Sequence, residues 1–305
     1  MTHSNISTQN GSDSLQISTP SISSSATLVE LSVSQWIGRK LDKRASADVT
    51  SANYASRGVA NVHKKLLGDC PELEAISRLV SEARNAHYSM TMPWADNGLR
   101  LCTTKAYFKY HEMMTGYRDS FDDLVNTFLE AWDWAVTQSQ AKLGDLHNPN
   151  DYPSVTSLRS KFSFRLAYMP LPDVGDFRLD INTEAQNEMK SHYETYYTTQ
   201  LNNAMKDIWQ RAFKSLSRMS ERLDYASHEG KKLFRDTLVT NVLDIVDLLS
   251  VCNITNDTQM EAMRAKLEDT LQGVTPDALR EDEYLRAETK RSIDEAIKSL
   301  PSLDM

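Results

Sequence analysis

The clearest pattern near the start of the chain is an alternation. In LVELSVSQW (28–36), Val29, Leu31 and Val33 alternate with Glu30, Ser32 and Ser34. A period of two predicts a strand with one buried face. FSFRLAYM (162–169) alternates in the same way, and FRLDI (177–181) can return as its partner. Between them, PLPDVGD (170–176) supplies two prolines, Asp173 and Gly175, which punctuate a hairpin. Three strands, at about 28–36, 162–169 and 177–181, therefore predict a small antiparallel sheet with an apolar face to bury.

Elsewhere the period is helical. A weakly helical stretch (39–55) and an ambiguous one (58–69) precede a sharp signal at Pro71. Asp69 or Cys70 can cap, proline suits the first helical position, and Glu72 and Glu74 favour the first turn. Leu73, Ile76, Leu79, Val80 and Ala83 share a face, which predicts a helix over about 71–90. Pro93 ends it by pushing the preceding residues out of helical space.

TMPWADNGLRL (91–101) follows, and ADNG reads as a turn. One reading is a joint, with Trp94 folded back on the flanking helices and Arg100 paired locally. The other is a partner anchor made of Trp94, Asp96 and Arg100, because a loop tryptophan anchors interfaces well. A second helix starts near Thr103, reaches Gly116 and resumes along an apolar stripe from Phe121 to Val136, with Gly144 as its stop.

From Thr183 to about Asp224 there is neither proline nor glycine. Met189, Tyr193, Tyr197, Leu201, Met205, Ile208, Ala212, Leu216, Met219 and Leu223 recur at about 3.8 residues per step, wider than the 3.5 of a left-handed coiled coil. The stripe predicts one helix of about 40 residues, roughly 60 Å long. It can pack on its own protein or protrude as an arm. Three more helices are predicted at about 231–251, 257–272 and 276–299, with Asp257 and Thr275 as caps.

The fold class is thus mainly α with a small antiparallel β-sheet (α+β), its long helices packed as a bundle. Residues 1–26 are rich in serine and threonine and read as a disordered tail. A helical region with the sheet (27–182) and the long helix with the C-terminal helices (183–305) then form one continuous domain. No internal repeat is present.

Charge and composition narrow the function. The net charge is −8, so only a local basic patch could draw the chain to nucleic acid. Three distant cysteines argue against a disulfide framework and for reduced packing thiols. No signal peptide is read, and the most apolar stretch, VLDIVDLLSV (242–251), carries two aspartates and is too short to span a bilayer. A cytoplasmic protein without membrane contact is expected.

Two basic clusters stand out. Residues 36–66 hold Arg39, Lys40, Lys43, Arg44, Arg57, Lys64 and Lys65 against Asp42 and Asp48. Arg211, Lys214, Arg218 and Arg222 form a stripe on the long helix. Each can bind nucleic acid or an acidic partner, or be a solvated face.

Catalytic signatures are missing or broken. HEMMT (111–115) puts threonine where a zinc helix needs its second histidine. Asp173 with Glu188 and Lys190 satisfies a loose nuclease pattern, but Glu188 and Lys190 fall on different sides of a helix. No nucleotide-binding glycine motif or nucleophile elbow occurs. No catalytic residue, metal or cofactor is assigned.

Several stretches resemble one family: LSVSQWIGRKLD (31–42), SEARNAHYSMTMPWADNGLRL (81–101), LGDLHNPNDYPS (143–154), KFSFRLAYMPLPDVGDFRLDI (161–181), MKDIWQRAF (205–213) and LFRDTLVTNVLDIVDLL (233–249). It is a bacterial and phage domain of unknown function, and the resemblance covers about residues 28–299. It implies an origin on phages or integrative elements in a bacterial host cell. It also implies genetic neighbours that include recombination genes, a MoxR-type AAA+ ATPase and a von Willebrand A-type protein. The expectation is a non-enzymatic accessory or adaptor protein that binds a protein partner, such as that ATPase complex. The alternatives are a DNA-binding recombination accessory factor and, behind it, a metal-dependent nuclease.

Overall fold

The computed structural model describes residues 22–171, 183–225 and 235–301. The expected strand at 177–181, Asp173, and the expected tail up to residue 21 lie outside the described residues. The end of that tail is ordered differently from the expectation. A single helical turn, α1 (Ile22–Ser25), leads into strand β1 (Ala26–Ser34). Ala26 and Leu28 are buried, and that burial offsets the ordering which the serine-rich composition disfavours.

β1 is the hub of a four-stranded sheet. Its partners are β5 (Arg100–Thr103) on one side and β6 (Ser163–Pro170) on the other, both antiparallel. β4 (Met92–Pro93) pairs with β5 at the edge, giving the order β4-β5-β1-β6. The alternation in β1 sorts its side chains between two cores. Val29, Leu31 and Val33 lie opposite Tyr168, Leu166 and Phe164 of β6, and all face α3 (Pro71–Met90) and α4 (Thr104–Glu130). Ala26 and Leu28 face the other way, with Leu101, Met92 and Met169, into the C-terminal helices. Beyond Leu28 that second face turns polar (Glu30, Ser32, Ser34) and part-exposed.

A two-stranded sheet joins β2 (Arg39–Asp42) to β3 (Val62–Lys65). The helix expected over 39–55 therefore begins only at Lys43, as α2 (Lys43–Ala52), where the Asp42 carboxylate accepts from the Ala45 amide as an N-cap. α3 matches its predicted bounds. α4 runs straight through Gly116, where an added Cβ would meet open space, and breaks at Ala131 before α5 (Trp132–Leu143). The short α6 (Val155–Arg159) buries Leu158 beneath Phe121 and Phe128.

The long helix is α7 (Thr183–Leu223), 41 residues. Its second half, with α8 (Thr237–Cys252), α9 (Thr258–Leu271), α10 (Pro276–Glu281) and α11 (Glu283–Lys298), encloses the largest apolar cluster. Asp257 and Thr275 cap α9 and α10 as predicted, and Asp282 splits the last expected helix in two. Among the described residues no helix is long and apolar enough to cross a membrane.

Candidate partner-binding surfaces

The apolar stripe of α7 is longer than the core that uses it. Tyr197, Ala204, Ile208, Ala212, Leu216, Met219 and Leu223 are buried. The preceding turns continue the stripe but lie open: Met189 is 38% exposed and Tyr196 44%. Tyr193 is half-buried, its ring 6.0 Å from that of Tyr197. With Glu188 and His192 these side chains line a shallow groove. Glu188 and His192 form a solvated i,i+4 pair at 4.0 Å. Lys190 and Glu194 are also exposed. Glu188 and Lys190 thus stand on an open helix surface, and among the described residues no three His, Cys, Asp or Glu side chains gather as a metal site.

The cationic stripe on the second half of α7 divides. Arg211 is turned inward. Its guanidinium donates to the Ser89 carbonyl at 3.0 Å and the Thr91 carbonyl at 2.9 Å, at the C-terminus of α3, and pairs with Asp207 at 2.6 Å. Cations are favoured there because the last carbonyls of a helix lack intrahelical donors. Lys214, Arg218 and Arg222 are exposed and make no ion pair among the described residues.

TMPWADNGLRL is a hairpin of the sheet, and its three singled-out residues part company. Trp94 is 5% exposed and meets the Tyr197 ring edge-on at 5.3 Å, so it fastens the hairpin to α7 from inside. Asp96 is exposed at the turn, where Gly98 takes φ +93° and its amide donates to the Ala95 carbonyl. Arg100 donates to the Thr91 hydroxyl at 2.7 Å and to the Thr91 carbonyl at 2.9 Å, and lies over the Tyr88 ring.

Arg100 and Arg211 thus converge on one carbonyl, close to a buried imidazole. His87 shares a 2.7 Å hydrogen bond with the Tyr110 hydroxyl. Burial, with the Arg100 charge nearby, pushes its pKa down to about 4. Burial likewise raises the Tyr110 hydroxyl, and it raises the Cys102 and Cys252 thiols to about 12. Such thiols stay protonated and are poor nucleophiles. His111 is exposed and bonded to the Tyr168 hydroxyl at 2.9 Å.

The N-terminal basic cluster is also divided. Lys64 is buried and reaches Asp151 at 2.8 Å, Asp42 at 3.1 Å and the Leu146 carbonyl at 2.6 Å. Burial opposes its charge, but the two carboxylates outweigh that and raise its pKa. Lys40 takes the other Asp151 oxygen at 2.7 Å, and Lys65 pairs with Asp69 at 3.4 Å. Arg39, Lys43 and Arg44 are exposed and unpaired among the described residues. Sequence reading could not find the partners of Lys64 and Lys40, because Asp151 lies in a distant 3₁₀ turn, Pro149–Asp151.

No protein-family profile, no curated protein and no solved structure matches this chain.

Proposed function

We propose that the chain is a non-enzymatic accessory protein that engages a protein partner through the first half of α7. The observation that supports this is the exposure of Met189 and Tyr196, which continue the core stripe of α7. Exposed aromatic and methionine side chains on a helix face are the residue types that anchor protein interfaces. Glu184, Glu188 and Glu194 make this half acidic, so the matching partner carries an apolar ridge with a basic rim. The family resemblance makes a MoxR-type AAA+ ATPase complex the first partner to test, within a phage or mobile element.

The test is co-expression with the products of neighbouring genes, followed by size-exclusion chromatography. A stoichiometric complex is expected, and Met189→Glu with Tyr196→Glu should abolish it without changing the fold. A complex that survives the double substitution, or no complex with any neighbour product, contradicts the reading.

A second reading has its own observation. Lys214, Arg218 and Arg222 form an exposed stripe with no counter-ion among the described residues. A DNA-binding accessory factor would use it, with affinity falling steeply as salt rises. Fluorescence polarisation with labelled DNA at two salt concentrations decides this, and salt-independent or absent binding removes it.

A further inference from the structure

β2 and β3 are paired in a register that places like charges opposite each other twice. Arg39 faces Lys65, and Lys40 faces Lys64. Like charges directly across a ladder are destabilising. Three of these four cations have a carboxylate: Lys40 and Lys64 share Asp151, and Lys65 has Asp69. Arg39 has none among the described residues.

Arg39 lines a cavity of about 270 Å³ whose far wall comes from a distant part of the chain. Lys161 stands there, exposed and also without a counter-ion among the described residues. Asn150 adds an amide, and Trp36 and Tyr152 supply aromatic walls. Three cations (Arg39, Lys40, Lys161) and one carboxylate (Asp151) line the opening, while Lys64 and Asp42 behind it cancel. The lining therefore carries two net positive charges in a chain of net charge −8. Its frame is cross-linked: Asp151 is held by two lysines, and Tyr152 donates to the Leu66 carbonyl at 2.8 Å.

We propose that this cavity binds a phosphate monoester, with Arg39 and Lys161 as its principal ligands. Such a group carries about two negative charges at neutral pH and several strong acceptor oxygens, which matches two unpaired cations and an amide. The aromatic walls suit an organic phosphate such as a nucleotide. Inorganic phosphate shares the recognised chemistry.

Isothermal titration calorimetry at low salt tests the site with AMP, inorganic phosphate and adenosine. AMP should bind and adenosine should not. AMP binding tighter than phosphate assigns the site to nucleotides, and equal binding assigns it to the phosphate group itself. The double variant Arg39→Ala with Lys161→Ala should weaken AMP by at least about tenfold, since each removes a charge-assisted bond. Lys43→Ala with Arg44→Ala, on the adjacent helix, should weaken it by less than about twofold. All four side chains are exposed, so melting temperatures should be unchanged. The proposal is overturned if AMP gives no binding, if adenosine binds as well as AMP, or if the two double variants weaken AMP equally.

Discussion

From Tyr197 to Leu223, α7 is packed against α8, α11 and the β4–β5 hairpin, and its stripe is buried except at Leu201 and Met205, which are half-buried. From Glu184 to Tyr196 the same helix carries the same kind of stripe, but Met189 and Tyr196 are exposed and Tyr193 is only half-buried at the margin of the core. Propensity does not separate the halves, since neither contains proline or glycine. Neighbours do. The second half meets elements that bring their own apolar faces, Trp94 among them, and in the first half Met189 and Tyr196 are left exposed. Helix periodicity in a sequence reports that a face is apolar; whether anything covers it depends on where the other elements end.

The sharpest way to break this contrast is by truncating matched positions. Leu216→Ala, in the buried half, should cost about 2–5 kcal/mol in urea denaturation. Met189→Ala, on the same stripe, should change stability by less than about 0.5 kcal/mol. Comparable losses would mean that the first half is packed after all.

Acid should loosen the joint that holds the second half. His87 has its pKa depressed from 6.5 to about 4 in the folded chain, so the unfolded chain takes up the proton first. Its contribution is fully present above pH 6.5 and is lost as pH falls toward 4, at about 1.4 kcal/mol per pH unit and about 3 kcal/mol in all. Denaturation midpoints from pH 7 to 4 should show this slope, and His87→Leu should remove it. An unchanged slope in that variant would place the acid sensitivity elsewhere.

A smaller effect separates the inward and outward cations of α7. Arg211→Ala removes donors from the Ser89 and Thr91 carbonyls and should cost about 1.5–3 kcal/mol. Arg218→Ala, one further along the exposed stripe, should cost less than about 0.5 kcal/mol. Equal costs would show that Arg218 too is committed within the molecule.

Much of the framework was legible in the chain. The strands at β1 and β6, the Pro71 start of α3, the whole span of α7 and the caps Asp257 and Thr275 follow from alternation, spacing and capping chemistry. β4 and β5 were not legible because two and four residues are too few to establish an alternation. β2 was misread as helix because RKLD holds three charges and one apolar residue, and its pairing with β3 depends on a neighbour beyond a whole helix. The candidate surfaces were legible only as residue types. Which cations are free is decided by distant groups: Asp151 engages Lys40 and Lys64, the end of α3 takes Arg211, and Lys161 joins Arg39 across the fold.

The most direct test of the account is hydrogen–deuterium exchange along α7 in the free protein. Amides at 186–196 should exchange at least about tenfold faster than those at 204–219, because the fully buried residues Ala204, Ile208, Ala212, Leu216 and Met219 lie in the second half. Uniform protection from 186 to 219 would contradict the account, since the first half would then already be covered and could not be an open face for a partner.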